Sequence, residues 1–99
     1  MKRPKQLTLC GKRCDVSYDR KRSDGSCDLA KMKMVIGTGI KADIIETILH
    51  ESLEAIMMLR GCRYQVYTDG NDRLLLSMTH AEFEGVCKDL VVVVQELSC

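Results

Sequence analysis

The sequence predicts an α+β fold: a small, mainly antiparallel sheet with two helices packed on it, in one domain over residues 1–99. Three observations predict it. Apolar and polar residues alternate in short runs between Gln6 and Ile36, the pattern of half-buried strands. From Asp43 to Arg60 the apolar residues recur at helical spacing instead. Beyond them an Asp-Gly turn signal is followed by Thr79-x-x-Glu82, a hairpin and then a capping box.

Each element follows in order. Gln6 to Cys10 alternates and reads as a strand. Gly11-Lys12 is then a two-residue turn, and Arg13 to Tyr18 is the return strand with Cys14, Val16 and Tyr18 on one face. Asp19 to Ser26 is a polar loop. Cys27 to Ile36 is expected as a single third strand, ended by Gly37-Thr38-Gly39. In the helix that follows, Ile44, Ile45, Ile48, Leu49, Leu53, Ile56 and Met57 form the apolar stripe. Thr38 or Asp43 is its cap, and Gly61 suits the position just past its end. Arg63–Tyr67 and Leu74–Met78 are strands joined by residues 68–72. The capping box opens a second helix from His80 to about Leu97, carrying Phe83, Val86, Cys87, Leu90, Val91 and Val94. The expected order is β-β-β-α-β-β-α.

Composition narrows the function classes. Only Tyr18, Tyr64, Tyr67 and Phe83 are aromatic, so the core is aliphatic. No apolar run approaches the roughly 18–20 residues of a membrane span, and no membrane partner is expected. Residues 1–5 are basic with no apolar stretch after them. They are expected to be an unstructured lead rather than a signal peptide, and the cytoplasm is the expected location. The six cysteines, Cys10, Cys14, Cys27, Cys62, Cys87 and Cys99, are then expected to be reduced. Charge is divided unevenly: residues 1–34 hold ten Lys/Arg against four Asp/Glu, and residues 35–99 hold five against ten.

The residues most suggestive of chemistry are Ile48 to Ile56, which read H-E-x-x-E inside the first helix. His50 and Glu54, four apart, project from one helical face. An imidazole and a carboxylate at that spacing suit one Zn²⁺, and Glu51 beside them suits a general base. A catalytic zinc needs a third protein ligand. His80 is the only other histidine, and two helices on one sheet could bring it to His50 and Glu54. Glu84, four residues past His80, and Glu46, four before His50, are alternative ligands or supports. Zinc lowers the pKa of its water to around 7, and Glu51 would take the proton as that water attacks an amide carbonyl.

Residues 46–56 and Thr79-His80-Ala81-Glu82, in this order of elements, resemble the minimal zincin-like metallopeptidases, small proteins common in phages and mobile elements. The resemblance implies a metal-dependent hydrolase. His50 stands as first ligand, Glu51 as base, Glu54 where the family usually has its second His, and His80 near the third ligand. It further implies a peptide or protein substrate, or a host protein as partner, in the host cytoplasm.

Other readings compete. The acidic stripe with His50 also fits a solvated helix face, His80 a plain helix start, and Glu82 a capping residue. Glu54 in place of His equally suits a non-enzymatic interaction or regulatory protein that keeps the fold. Cys10-x-x-x-Cys14 with Cys27 is a possible structural zinc set, but the Gly11-Lys12 turn would send Cys10 and Cys14 to opposite faces. Arg20-Lys21-Arg22 near Tyr18 is a weak nucleic-acid signal without interleaved aromatics, so nucleic acid is not the expected partner. No P-loop or dinucleotide fingerprint is present.

Overall fold

The structure, a computed structural model, describes residues 3–68 and 71–98, those of 63–68 and 71–75 through their backbone alone. The elements are β1 (Gln6–Leu9), β2 (Lys12–Asp19), β3 (Gly25–Asp28), β4 (Lys33–Gly37), α1 (Ile44–Leu59), β5 (Arg63–Thr68), β6 (Asn71–Leu76) and α2 (His80–Ser98). The α+β class is as expected, with one strand more. Strands β1 to β4 form a mixed sheet in the order β1-β2-β4-β3, and β5 and β6 form a separate antiparallel pair.

The first hairpin turns one residue earlier than the sequence suggests. Leu9 pairs with Lys12 and Leu7 with Cys14, so Cys10 and Gly11 make the turn, at φ 52° and 77°. Two positive φ values are what a tight hairpin turn requires, and Gly11 takes the second at no steric cost. Cys14 then faces inward with Val16, while Cys10 sits at the tip.

The single strand expected over Cys27–Ile36 is instead a hairpin. Asp28 accepts the backbone N–H of Lys31 at 3.2 Å, and Met32 takes φ 50°, so residues 29–32 reverse the chain. β3 returns antiparallel to β4, pairing Cys27 with Met34, while β4 lies parallel to β2, pairing Val16 with Met34. This places β3 at one edge of the sheet.

Of residues 1–5, expected as an unstructured lead, residues 3–5 are described and meet β2. The Lys5 carbonyl accepts Val16 N–H at 2.9 Å, the Pro4 carbonyl accepts the Tyr18 hydroxyl at 2.6 Å, and Arg3 lies 5.7 Å over the Tyr18 ring.

Helix α1 begins at Asp43, whose carboxylate accepts Glu46 N–H at 3.0 Å. Such a cap stabilises by about 1 kcal/mol. It ends in a Schellman turn: Cys62 N–H reaches Met57 O, Gly61 N–H reaches Met58 O, and Gly61 stands at φ 69°. α2 starts with Thr79 Oγ1 accepting Glu82 N–H at 3.1 Å. Glu82 Oε2 in turn takes the Cys62 thiol at 3.3 Å.

Both helices cover one face of the four-stranded sheet, α1 against β3 and β4 and α2 against β1. Leu7, Leu9, Cys14, Val16, Met34 and Ile36 meet Ile48, Ala55, Ile56, Val86, Val93 and Leu97 there. The opposite face, with Gln6, Arg13, Asp15, Ser17 and Lys33, stays exposed. The pair β5–β6 extends beyond α1, its base closed by Ser77 N–H on Cys62 O at 3.0 Å. Its strands run Arg63–Thr68 and Asn71–Leu76, and the expected turn at Asp69-Gly70 lies outside the described residues, as do Met1, Lys2 and Cys99.

Candidate metal centre on the first helix

The H-E-x-x-E turn lies midway along α1, where Ile48, Ser52, Ala55 and Ile56 anchor the helix in the core. That anchoring sets the orientation of the polar residues between them. Glu51 points toward β3 and is buried at 7% exposure, whereas the His50 side chain is 65% exposed and Glu54 30%. His50 Nε2 stands 3.4 Å from Glu54 Oε2. One donor atom from each of His50, Glu51 and Glu54 lies within 4.8 Å of the others, the one such three-residue group among the described residues.

Two small cavities flank Glu51. One, of about 230 Å³, is bounded by Asp24, Gly25, Glu46, Thr47 and His50. The other, of about 260 Å³, is bounded by Cys27, Leu29, Glu54 and Met58. Burial raises the Glu51 carboxyl pKa above the usual range, and the Glu54 charge raises it further against the pull of His50 and Arg22. A carboxylate so placed gains from a cation beside it.

These three residues could together hold a divalent ion. One imidazole and two carboxylates are ligands of the zinc class. Zinc holds its ligands at about 2.0–2.2 Å, so donors 4.8 Å apart need only a modest closure, which the exposed His50 ring is free to make.

His80 is not in this group. It stands in the first turn of α2, 85% exposed, with Nε2 3.0 Å from Glu84 Oε1. Leu90 of α2 is the residue that shares a groove with His50. His80 is ten residues earlier, about 15 Å along the helix axis. Glu84 stands beside His80 rather than beside His50, and Glu46 lies at the rim of the Glu51 cavity.

The remaining sequence signals are structural here. Cys10 donates to Asp89 Oδ2 at 3.2 Å, beside Arg60 Nε on the same oxygen at 2.6 Å. Burial and Asp89 push the Cys10 thiol up to about 11. Burial and the neighbouring Cys27 push Cys14 up to about 12. Cys10, Cys14 and Cys27 form no three-donor group among the described residues. Arg22 is occupied by Asp24 at 3.0 Å and Ser26 at 3.3 Å, which leaves Arg20 and Lys21 as exposed charges.

Two features escaped the sequence reading. Gly25 and Cys27 flank Glu51 because β3 is an edge strand, which the single-strand expectation hid. The Cys10–Asp89–Arg60 cluster joins residues 29 and 79 positions apart, with no local pattern to announce it.

No helix among the described residues is long and apolar enough to cross a membrane. The chain matches no known family model, no curated protein and no solved structure.

Proposed function

We propose that the H-E-x-x-E turn of α1 is the metal-and-base part of a zincin-like, peptidase-type hydrolase site. His50 and Glu54 hold a zinc-class ion, and Glu51 is the general base. The observation that carries this reading is the convergence of His50, Glu51 and Glu54 within 4.8 Å beside two cavities. The ion, when bound, would supply an activated water and a Lewis acid for the amide carbonyl. Glu51 then accepts the proton, a role suited by its raised proton affinity. β3 offers an open strand edge alongside Glu51, on which an extended peptide would pair through its backbone.

With His80 held by Glu84, the ion has two protein ligands plus Glu51 within reach. Its affinity is therefore expected to fall short of a closed three-ligand zinc site. Zinc titration of untagged, chelator-stripped protein tests the site. One ion should bind per chain, His50→Ala and Glu54→Ala should weaken it at least tenfold, and His80→Ala should leave it alone. No uptake by the wild type rejects the metal. Peptide hydrolysis that survives Glu51→Gln rejects the base.

A second reading is a non-enzymatic interaction or regulatory protein on the same fold. The observation favouring it is the exposed apolar side of α2, where Phe83 and Val91 are each 53% exposed and Val94 45%.

A further inference from the structure

Helices α1 and α2 leave a groove between them that the core does not fill. Its volume is about 600 Å³. Ile45, Leu49 and Leu53 line the α1 wall, one helical turn apart, and Leu90 lines the α2 wall. Three residues spaced i, i+4 and i+8 make an apolar wall about 12 Å long, the length of a little over two helical turns. Ile45 is 48% exposed, and Val94, one turn beyond Leu90, is 45% exposed, so the apolar surface continues past the groove.

The groove carries two carboxylates at its rim. Asp43 and Glu46 are the carboxylates of its lining, His50 is its one imidazole, and among the described residues no Lys or Arg lines it. Lys88, two residues from Leu90, lies about 200° around α2 and points to another side. Residues 35–99, which build both walls, carry five Lys/Arg against ten Asp/Glu.

We propose that this groove docks a basic amphipathic helix of a partner protein. Apolar side chains at i, i+3/i+4 and i+7 of that helix enter between Leu49, Leu53 and Leu90, and its Lys or Arg residues face Asp43 and Glu46. An acidic rim selects against acidic partners as well as attracting basic ones. The inference concerns the groove without a metal at His50, which is one of its lining residues.

The test uses chelator-treated full-length protein, so that its outcome is separate from zinc binding. The probe is a fluorescein-labelled 14-residue peptide of Leu and Lys with Leu at helical spacing. Two controls replace every Lys by Glu or scramble the Leu positions. Fluorescence anisotropy should show saturable binding of the basic amphipath, at least tenfold weaker binding of both controls, and weakening at higher salt. Ile45→Glu, at a half-exposed position, should reduce binding at least tenfold, and Glu46→Lys at least threefold, both with unchanged circular dichroism. Equal binding of the basic and acidic peptides overturns the proposal, as does retention of binding by Ile45→Glu. Sedimentation of the unlabelled protein covers the other occupant: a stable dimer that Ile45→Glu dissociates assigns the groove to a second copy and likewise overturns it.

Discussion

Gly25 of β3 and Glu51 of α1 are in direct contact: a Cβ on Gly25 would stand 3.0 Å from Glu51 Cγ and 2.6 Å from Thr47 Cγ2. The absence of a side chain at position 25 lets the helix approach the edge strand and buries Glu51. Gly25→Ala is expected to destabilise by about 1–3 kcal/mol through overpacking. Thr47→Ser removes the closest methyl while keeping the hydroxyl that donates to Asp43 O at 2.7 Å. The double variant should recover part of the loss. Urea denaturation of the three variants measures it, and an unchanged midpoint for Gly25→Ala would mean that α1 rides higher above β3.

Glu51 gives a pH signature. Its folded pKa is raised by burial first and by Glu54 second, above the ordinary value of 4.5. A raised carboxyl favours folding while protonated, and that contribution disappears as pH rises through the folded value. Glu51→Gln stays neutral throughout. Its stability advantage over wild type should be negligible near pH 4 and grow toward pH 8. Thermal unfolding across that range checks the sign.

Glu54 tests the ligand reading from another side. Glu54→His creates the two-imidazole pair on the same helical face and should hold or raise zinc affinity, since imidazole suits zinc well. Glu54→Ala should abolish any zinc-induced rise in Tm. The same zinc response in wild type and both variants would remove Glu54 from the site.

Ser52 is fully buried in α1, and its hydroxyl has no hydrogen-bond partner among the described residues. Removing an unsatisfied hydroxyl from a core helix relieves its desolvation, and Ala is the better helix former. Ser52→Ala should stabilise by up to about 1 kcal/mol, read as a higher urea midpoint with an unchanged slope. A loss of stability would show that the hydroxyl is paired in solution.

The cysteines should separate by reactivity. Cys87 is exposed, whereas Cys14 and Cys62 are fully buried. Cys10 is held as a thiol by burial and by Asp89. Iodoacetamide at pH 8 should label Cys87 first and Cys10 far more slowly, followed by peptide mass mapping. Asp89→Asn removes the charge beside Cys10 and should speed its labelling severalfold. Cys10 reacting as fast as Cys87 in the wild type would contradict this arrangement.

Both helices were legible because their signals are local. The Ile45–Leu49–Leu53 and Ile48–Ser52–Ala55 spacings, the Asp43 cap and Gly61 all act within a turn or two. The β3–β4 hairpin was not, because its reversal uses Asp28 and a positive φ at Met32, with no Gly, Pro or Asn between the strands. The turn at Cys10-Gly11 was displaced for the same reason, since Cys10 takes a conformation that its residue type rarely signals. At the candidate site, the i,i+4 pairs His50–Glu54 and His80–Glu84 follow from helix geometry alone. How far the start of α2 lies from the middle of α1 depends on where two helices cross, and no residue spacing encodes that.

Along β1, the Thr8 backbone N–H is taken by Glu96 Oε1 at 2.7 Å, and Arg13 clamps the other Glu96 oxygen at 2.7 Å. The end of α2 thus seals one margin of the sheet, while β3 leaves the other margin open. A strand joining at β3 meets unpaired backbone; one joining at β1 must first break a charge-assisted bond. A strand added to the four-stranded sheet is therefore expected along β3 rather than along β1, where Glu96 already holds the Thr8 N–H.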